Sequence, residues 1–291
     1  MHEYMELTFL GTGGSWPSAR RNVSSLAVKR GSEVVLFDCG EGTQRQFQRS
    51  DISYMETAKI FFTHLHGDHI LGLPGLMQTM DLNERDEAVE IYGPPGTKRF
   101  VSLVMSRPLP SLSYPIEVTE LDDGQIVEFD GYQVEARRLD HSIENLGYAL
   151  VEDPRPGRFD KETALELGVP EGPKFSDLQQ GEAVEAEDGS IVEPELVLGD
   201  PRRGRKVTYT GDCRPSEATV ELAYRSDVLV HEATFCDETE RAHEVGHSTA
   251  GQAAFMADKA EVRKLFLTHL SPRYEDPEPI ETEARKVFED A

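Results

Sequence analysis

The sequence predicts an α/β protein in which short buried strands alternate with helices. Two observations indicate this class. Segments with helix-start signals separate several short apolar runs, and four of those runs end in a residue that can carry chemistry, namely His64, Asp212, His231 and His269. Runs this short and apolar are typical of buried strands. Because open α/β sheets bind ligands beyond the carboxyl ends of their strands, we expect these four residues to meet at one edge of the core.

The predicted strands are justified by apolar runs or by β-prone residues between turn signals. In chain order they cover residues 34–37, 60–63, 125–129, 132–138, 147–151, 207–211, 228–230 and 265–268. The dipeptide Asp130-Gly131 predicts a turn between 125–129 and 132–138. This middle part of the chain therefore reads as a meander.

The predicted helices follow residues that favour helix starts. They are Thr43–Arg49, Ile70–Met80, Ser216–Arg225, Gly251–Lys259 and Ile280–Glu289. Ser216 is the expected N-cap of the third helix, and either Ser248 or Thr249 caps the fourth. Glu281 and Glu283 are expected in the first turn of the last helix, where the helix dipole favours acidic side chains.

Residues 152–206 interrupt this alternation with a polar stretch rich in proline and glycine. The stretch is too long for an ordinary connection, and such segments are usually functional arms or disordered insertions. A chain of 291 residues fits one large α/β domain or two small ones. We predict one domain over residues 1–291 with an arm, residues 152–206, projecting from its core.

The net charge of −24 is unusual, with 54 acidic residues against 21 arginines and nine lysines. Such self-repulsion costs stability in dilute salt and is tolerable where counterions are concentrated. Our hypothesis is adaptation to a high-salt cytoplasm, and the alternative is an ordinary acidic protein.

The expected location is the cytoplasm. No stretch approaches the roughly 20 apolar residues of a membrane span, and the first residues lack the basic and apolar regions of a secretory signal. The three cysteines, Cys39, Cys213 and Cys236, cannot all pair, which suits a reducing compartment. Cys39 and Cys213 are interpreted as small buried residues near a site.

The segment from His64 to His69 contains three imidazoles and one carboxylate within six residues. Residues two apart in an extended chain point the same way, so His64 and His66 can bind one ion together. Gly67 permits a sharp turn that aims Asp68 and His69 at a second position. A lone histidine is usually an ordinary surface or core residue, whereas this cluster predicts a metal site.

Two metal ions about 3.5–4 Å apart need roughly three or four protein ligands each. The predicted ligands of the first ion are His64, His66 and His141. Those of the second are Asp68, His69 and His269, with Asp212 bridging both ions. A water held between two such cations loses its proton near neutral pH and becomes a nucleophile.

Two aspartates have alternative roles at this stage. Asp68 is placed either to bind metal or to accept the remaining proton of the water, and the two roles are compatible. Asp38 follows the strand 34–37 and is a candidate anchor for a ligand imidazole. An aspartate that caps the turn before Gly40 explains Asp38 equally well.

The pattern His-x-His-x-Asp-His after a strand resembles the signature of the metallo-β-lactamase superfamily. That resemblance implies a four-layer αβ/βα sandwich with two metals at one edge. Further segments resemble the short form of tRNase Z, the tRNA 3′-processing endoribonuclease, from about residue 5 to Tyr274. These segments are Gly11–Gly14, Pro17–Ser25, Leu36–Gln44, Gly67–Leu76, His231–Thr234 and His247–Thr249.

The resemblance implies hydrolysis of precursor tRNA just after the discriminator nucleotide, leaving a tRNA 3′-hydroxyl and a trailer 5′-phosphate. It implies a homodimer with two metal ions per subunit. For a histidine-rich set of ligands the expected ions are two Zn²⁺ per subunit, and Mn²⁺ or iron also suits such ligands. By resemblance His247 protonates the departing oxygen and Glu232 orients it, with His231 behind the ligands. From the residues alone, His231 and Glu232 could equally be structural.

RNA contacts are also implied by the resemblance, in which residues 152–206 form a flexible arm that clamps the tRNA. The candidate contacts are Arg21, Asn22, Arg155, Arg158, Lys161, Lys174 and Arg273. Residues 152–206 carry 14 acidic and 8 basic side chains, which departs from the usual basic arm. Arg273 fits a surface salt bridge equally well.

A second departure is Ala19, where the family commonly has a lysine in a loop linked to the treatment of the CCA end. Either Arg20 substitutes, or discrimination against CCA-bearing tRNA is altered. Two alternatives to tRNase Z activity also stay open. One is hydrolysis of a small phosphodiester, thioester or sulfate ester, and the other is RNA binding without metals.

Overall fold

The structure, a computed structural model, describes residues 4–106 and 110–291. Residues 1–3, part of the start that predicted no secretory signal, lie outside the described residues. The chain forms two compact units. The larger unit contains the chain up to Glu128, Val134–Leu150 and Lys206–Ala291, and the smaller one contains Phe129–Gln133 and Val151–Arg205.

The first sheet has six strands whose order in space is their order along the chain. The strands are Met5–Gly11, Ser25–Arg30, Glu33–Phe37, Thr57–Phe61, Val89–Gly93 and Ile116–Glu120. The first three pair antiparallel, and the pairs from Glu33–Phe37 onward are parallel. Strands such as Thr57–Phe61 are buried along almost their whole length, as parallel strands covered on both faces must be.

The second sheet also has six strands. Their order in space is Leu265–Thr268, Val228–Glu232, Lys206–Tyr209, Asn145–Glu152, Tyr132–Leu139 and Ile126–Phe129. The first three of these are parallel, so their carboxyl ends lie at one edge. The chain returns between them through helices Glu217–Ala223 and Ala250–Lys259.

Aromatic side chains join the facing surfaces of the two sheets. The ring of Phe37 lies 6.1 Å from Tyr148 and 5.9 Å from Tyr209, measured between centroids. The Tyr148 hydroxyl donates to the Phe62 carbonyl oxygen at 2.8 Å. Helices such as Leu73–Leu82 and Ala250–Lys259 pack through apolar clusters onto their own sheets. This layering confirms the predicted αβ/βα sandwich.

The helices largely follow the sequence signals. They are Thr43–Phe47, Gly67–Ile70, Leu73–Leu82, Thr97–Val104, Lys161–Glu166, Pro173–Gln179, Glu217–Ala223, Thr239–Val245, Ala250–Lys259 and Glu278–Arg285. Short 3₁₀ turns lie at Tyr54–Glu56 and Pro194–Leu196. Ser216 caps its helix by accepting from the Thr219 N–H at 3.3 Å, and Thr249 rather than Ser248 caps the next.

The prediction of one helix at Ile70–Met80 was wrong, because this segment forms two helices, Gly67–Ile70 and Leu73–Leu82, with an interruption between them. The Gly72 N–H donates to the Cys39 carbonyl at 2.8 Å, and a Cβ on Gly72 would lie 2.0 Å from the Gly40 oxygen. Tight backbone packing at this glycine therefore interrupts the helix.

The boundaries of other elements shift by a few residues. The last helix begins at Glu278 after Pro277, so Glu278 and Glu281 occupy its first turn and Glu283 does not. His231 lies inside the strand Val228–Glu232 rather than after it. Cys39, Cys213 and Cys236 are all free, the first two buried. None of the described helices is long and apolar enough to cross a membrane.

The smaller unit is a folded body rather than a structureless loop. Its two helices and the hairpin Val184–Glu185 with Ile191–Val192 enclose an apolar cluster that includes Val169, Phe175 and Leu178. Its boundary differs from the predicted 152–206 because it includes the turn at 129–133, where the Gly131 carbonyl accepts from the Asp153 N–H at 3.1 Å.

Candidate metal centre

Strand ends bring the predicted ligands to one edge of the larger unit. His64 and His66 follow Thr57–Phe61, and the short helix Gly67–Ile70 turns Asp68 and His69 back toward them. In the second sheet Asp212 follows Lys206–Tyr209, and His269 follows Leu265–Thr268. The seven predicted ligands therefore converge, as the strand-end argument predicts.

The first group of donors consists of His64, His66, His141 and Asp212, with ligand atoms within 4.8 Å of one another. The His66 Nδ1 lies 3.0 Å from His64 Nε2 and 3.3 Å from His141 Nε2. The His64 Nε2 lies 3.6 Å from an Asp212 oxygen. Burial lowers the pKa of His64, His66 and His141, so their ring lone pairs are available to a cation.

The second group consists of Asp68, His69 and His269. The His269 Nε2 lies 3.2 Å from Asp68 Oδ2 and 3.1 Å from Asp212 Oδ2. The other Asp212 oxygen, Oδ1, lies 3.4 Å from His69 Nε2. Asp212 thus faces both groups, and its two oxygens can serve one ion each.

Two buried atoms indicate that this site is built for a cation. His69 Nε2 and Asp212 Oδ1 have no hydrogen-bond partner among the described residues, although both are buried. Such orphaned polar atoms are costly unless something else satisfies them. Although burial lowers the pKa of His69, the Asp212 and Asp38 charges raise it well above its usual value. The same charges attract a metal ion, so the donors fit one.

Hydrogen bonds fix which ring nitrogen faces the site. The Gly246 carbonyl accepts from His141 Nδ1 at 2.8 Å, and Thr234 Oγ1 lies 2.8 Å from His269 Nδ1. With Nδ1 engaged in this way, the Nε2 of each ring keeps its lone pair for a ligand role.

Asp38 fixes two ligand rings at once. Its Oδ2 lies 2.7 Å from His69 Nδ1, and its carboxylate accepts from the Thr63 N–H at 2.8 Å and from the Thr63 hydroxyl. The Thr63 hydroxyl in turn lies 3.0 Å from His64 Nδ1. The structure therefore favours the anchor over the turn cap for Asp38, which is fully buried at φ 58°.

We expect Asp38→Asn to weaken metal binding or cleavage by about 10- to 100-fold, the usual effect of removing a partner of a ligand histidine. Asparagine tolerates the positive φ. Its NH₂ group, however, cannot accept the hydrogen bonds that Asp38 Oδ2 receives from His69 and from the Tyr209 hydroxyl, which lies 2.9 Å away. Chelator competition and cleavage rates measure the change. Tyr209→Phe, which removes one donor and keeps the carboxylate, should have a smaller effect, and equal losses would contradict the anchor role.

Glu232 and His247 form a second buried pair beside the donors. Glu232 Oε1 lies 2.8 Å from His247 Nδ1 and accepts from the backbone N–H groups of Cys213 and Ser248 at 3.1 Å each. Burial lowers the pKa of His247, but the hydrogen bond and charge of Glu232 outweigh it and raise the pKa to about 9. Because Nδ1 is committed to Glu232, Nε2 is the atom left for a substrate.

His231 is not brought to the donors. Neighbouring residues of a strand point to opposite faces, and the His231 ring lies 3.8 Å from the sulfur of Cys213, with Nδ1 on the Glu232 carbonyl at 2.8 Å. Burial lowers its pKa. The structure therefore favours the structural role for His231.

Three residues that form hydrogen bonds with carboxylates of the site were not given roles from the sequence. Ser15 donates its backbone N–H to Asp68 Oδ2 at 2.6 Å, Tyr209 bonds Asp38, and the Thr234 hydroxyl donates to Glu232 Oε2 at 2.8 Å. A backbone donor carries no residue signature, so Ser15 could not be found. The available signals for Thr234 were its position two residues after Glu232 and its place in the segment His231–Thr234.

The predicted RNA contacts have mixed surroundings. Arg21 donates to the Tyr274 carbonyl at 3.3 Å, and the Asn22 carbonyl accepts from the Gly13 N–H at 2.8 Å. Arg273 lies 3.1 Å from Glu238, which is the salt-bridge alternative. The other four belong to the smaller unit. Arg155 donates to the Arg203 carbonyl oxygen and Lys174 to the Glu185 carbonyl oxygen. Lys161 forms a salt bridge with Glu171, and Arg158 is exposed.

Two six-stranded sheets with this donor cluster define the class of protein, the metal-dependent hydrolases of the β-lactamase superfamily. A family model described as beta-lactamase superfamily domain matches residues 183–270, and one described as anti-Pycsar protein Apyc1 matches residues 5–155.

Relatives over the whole chain narrow the class. The chain is 51% identical to ribonuclease Z of Natronomonas pharaonis, over 98% of this chain and 93% of that protein. It is 50% identical to ribonuclease Z of Methanosarcina acetivorans, over 98% and 94%. The crystal structure of human tRNase Z, short form, superposes with a TM-score of 0.68 at 31% identity, covering 93% and 94%. The chain belongs to the ribonuclease Z family.

Proposed function

We propose that this chain is a metal-dependent endoribonuclease that removes the 3′ trailer from precursor tRNA. The convergence of seven imidazole and carboxylate ligands beside the Glu232–His247 pair supports hydrolysis, and membership of the ribonuclease Z family supports this substrate. Cleavage after the discriminator nucleotide leaves a 3′-hydroxyl on the tRNA and a 5′-phosphate on the trailer.

The cations are proposed to be two Zn²⁺ per subunit, with Mn²⁺ able to occupy the same ligands. His64, His66 and His141 would hold one ion, Asp68, His69 and His269 the other, and Asp212 would bridge them. When bound, such ions lower the pKa of a water and offset charge that develops on a phosphoryl group.

The protein side chains supply proton transfer. His247, protonated through the influence of Glu232, is the proposed donor to the departing 3′-oxygen. Asp68 offers Oδ2 to the donor cluster, where Ser15 and His269 already contact it. Its other oxygen is proposed to accept the proton of the attacking water.

An arginine-lined cleft in the larger unit supports a nucleic-acid substrate over a small ester. A cavity of about 260 Å³ is bordered by four arginines, Arg20, Arg21, Arg45 and Arg49, against a single acidic residue, Glu41. In a chain of net charge −24 this local excess of positive charge is conspicuous. A row of guanidinium groups suits the phosphates of a polynucleotide.

We expect the affinity for precursor tRNA to fall as salt rises, and the four arginines of the cleft to contribute about −4 to the log–log slope, since roughly one counterion is released per phosphate contact. The variant R45A/R49A should bind more weakly and flatten that slope by about 2. The control R263A/R285A removes equal charge elsewhere. Arg263 lies before the strand Leu265–Thr268, at the opposite end of that strand from His269, and Arg285 is the last residue of the helix Glu278–Arg285. An unchanged slope in R45A/R49A would count against the cleft.

The smaller unit, the arm of residues 152–206 together with the turn at 129–133, is proposed to bind the body of the tRNA. Its net negative charge leaves shape, backbone groups and the side chains Arg155, Arg158, Lys161 and Lys174 to make the contacts. By analogy with its family we propose a homodimer. We expect it to act in the cytoplasm, where its three thiols stay reduced.

The decisive experiment is cleavage of an end-labelled precursor tRNA, with mapping of both new ends. We expect one cut after the discriminator nucleotide with the termini named above. Hydrolysis of a small phosphodiester, thioester or sulfate ester without tRNA cleavage would support the small-substrate alternative. Binding without cleavage by the metal-loaded protein would support the non-catalytic one.

A further inference from the structure

The only tryptophan of the chain, Trp16, is exposed beside the metal centre. Its side chain and backbone together are 62% accessible, although tryptophan is normally well buried. The metal ligands, the Glu232–His247 pair and the arginine-lined cleft leave this indole without a role. An exposed aromatic ring near a reacting phosphate is a candidate stacking surface for a base.

The backbone around Trp16 is tied to the metal ligands. Its N–H donates to the Gly14 carbonyl at 2.8 Å, and the adjoining Ser15 donates to Asp68 at 2.6 Å. A Cβ on Gly14 would lie 2.5 Å from the His269 ring, so this backbone passes directly over a ligand. The backbone that carries Trp16 is therefore fixed beside Asp68 and His269.

Trp16 forms one wall of a cavity of about 260 Å³. Its other walls include Leu270, Pro272 and Tyr274. Arg20, Arg21 and Glu275 also line it, and Arg20 lies 3.8 Å from Glu275. This volume is slightly below the ~300–1,000 Å³ typical of small-molecule sites, which suits a single base. The Arg21 guanidinium donates to the Tyr274 carbonyl at 3.3 Å, which holds two of the walls together.

We propose that this cavity binds one unpaired nucleobase next to the scissile phosphate, stacked on the Trp16 indole. This inference rests on the proposed endoribonuclease function and extends it to a base subsite. Every base presents a π face, so the site reads little sequence. The Arg21 guanidinium, which contacts only a carbonyl oxygen in the hydrogen bond above, suits the phosphate of the same nucleotide. The base belongs either to the discriminator or to the first trailer nucleotide.

The variants W16A, W16L and W16F separate stacking from simple apolar contact. Base stacking contributes about 1–3 kcal/mol, which corresponds to roughly 5- to 150-fold. We expect kcat/KM for precursor tRNA to fall about tenfold or more in W16A and W16L, while W16F retains most of it. Y224A, which removes a 46% exposed tyrosine elsewhere, is the matched control and should be unchanged. Equal activity in wild type and W16A, or full rescue by leucine, overturns the proposal.

Abasic substrates identify the base. A precursor lacking either the discriminator base or the first trailer base is cleaved by wild type and by W16A. The base that stacks is the one whose removal abolishes the difference between the two enzymes. If the difference survives both removals, the proposal is wrong.

Fluorescence separates this inference from the proposed function. Because Trp16 is the sole tryptophan, its emission reports on this cavity alone. Titration of the wild-type protein with a short single-stranded RNA should quench it, and unchanged emission overturns the subsite. Failure of the wild type to cleave precursor tRNA overturns the function instead, and the titration still tests the cavity.

Discussion

Replacing Asp212 by asparagine should release metal and lower cleavage by about 1,000-fold or more, since bound cations supply several kcal/mol of charge stabilisation and each 1.36 kcal/mol is tenfold in rate. Asp212 is buried, and its oxygens lie 3.1 to 3.6 Å from His64, His69 and His269. Asparagine keeps the shape and removes the charge that offsets two cations. Elemental analysis and single-turnover cleavage measure both effects.

Asp140→Asn is the matched control for that substitution. Asp140 precedes the ligand His141, but its carboxylate is exposed and pairs with Arg214 at 3.0 Å, while the His141 ring bonds Gly246. We expect normal metal content and normal cleavage from this variant. Full metal occupancy and wild-type turnover in Asp212→Asn would contradict the bridging role.

Replacing His247 by alanine should lower turnover by about 100- to 10,000-fold, the range for a general acid. Metal content should stay close to that of the wild type, because the His247 Nδ1 is committed to Glu232 rather than to a cation. The dissociation constant for precursor tRNA should change little, since the proton is needed only in the transition state. Loss of metal with unchanged chemistry in the remaining holoenzyme would make His247 a ligand instead.

The variant Glu232→Gln tests whether the Glu232 carboxylate keeps His247 protonated. The acid is active when protonated, so its contribution is present below its pKa and is lost as pH rises through that value. Glutamine removes the carboxylate charge that raises the pKa of His247. We therefore expect the alkaline limb of the pH–rate profile to move to lower pH. An alkaline limb at unchanged pH would show that Glu232 does not set the pKa of the catalytic acid.

The convergence of the candidate metal ligands could be predicted because their signals are local or follow from strand ends. The spacing from His64 to His69 sets two donor positions, and His269 and Asp212 each follow a short apolar run. The structure brings these residues together as that reasoning predicts.

Other parts of the site depend on tertiary packing that no local pattern encodes. The role of Asp38 was undecided because its partners come from two other parts of the chain, the segment with Thr63 and His69 and the strand that contains Tyr209. The helix break at Gly72 arises from close contact with the Gly40 carbonyl. No helix or strand was predicted within the arm of residues 152–206, because its apolar residues are few and form a core only after folding.

The measurement that tests the central claim most directly is metal content paired with cleavage in one preparation. We predict about two divalent ions per chain, one held by the group that contains His64, His66 and His141 and one by the group that contains Asp68, His69 and His269. Cleavage of precursor tRNA should disappear on chelation and return when zinc or manganese is added. A folded protein that binds no metal and stays inactive with either ion, or that cleaves equally well without any, would contradict this account.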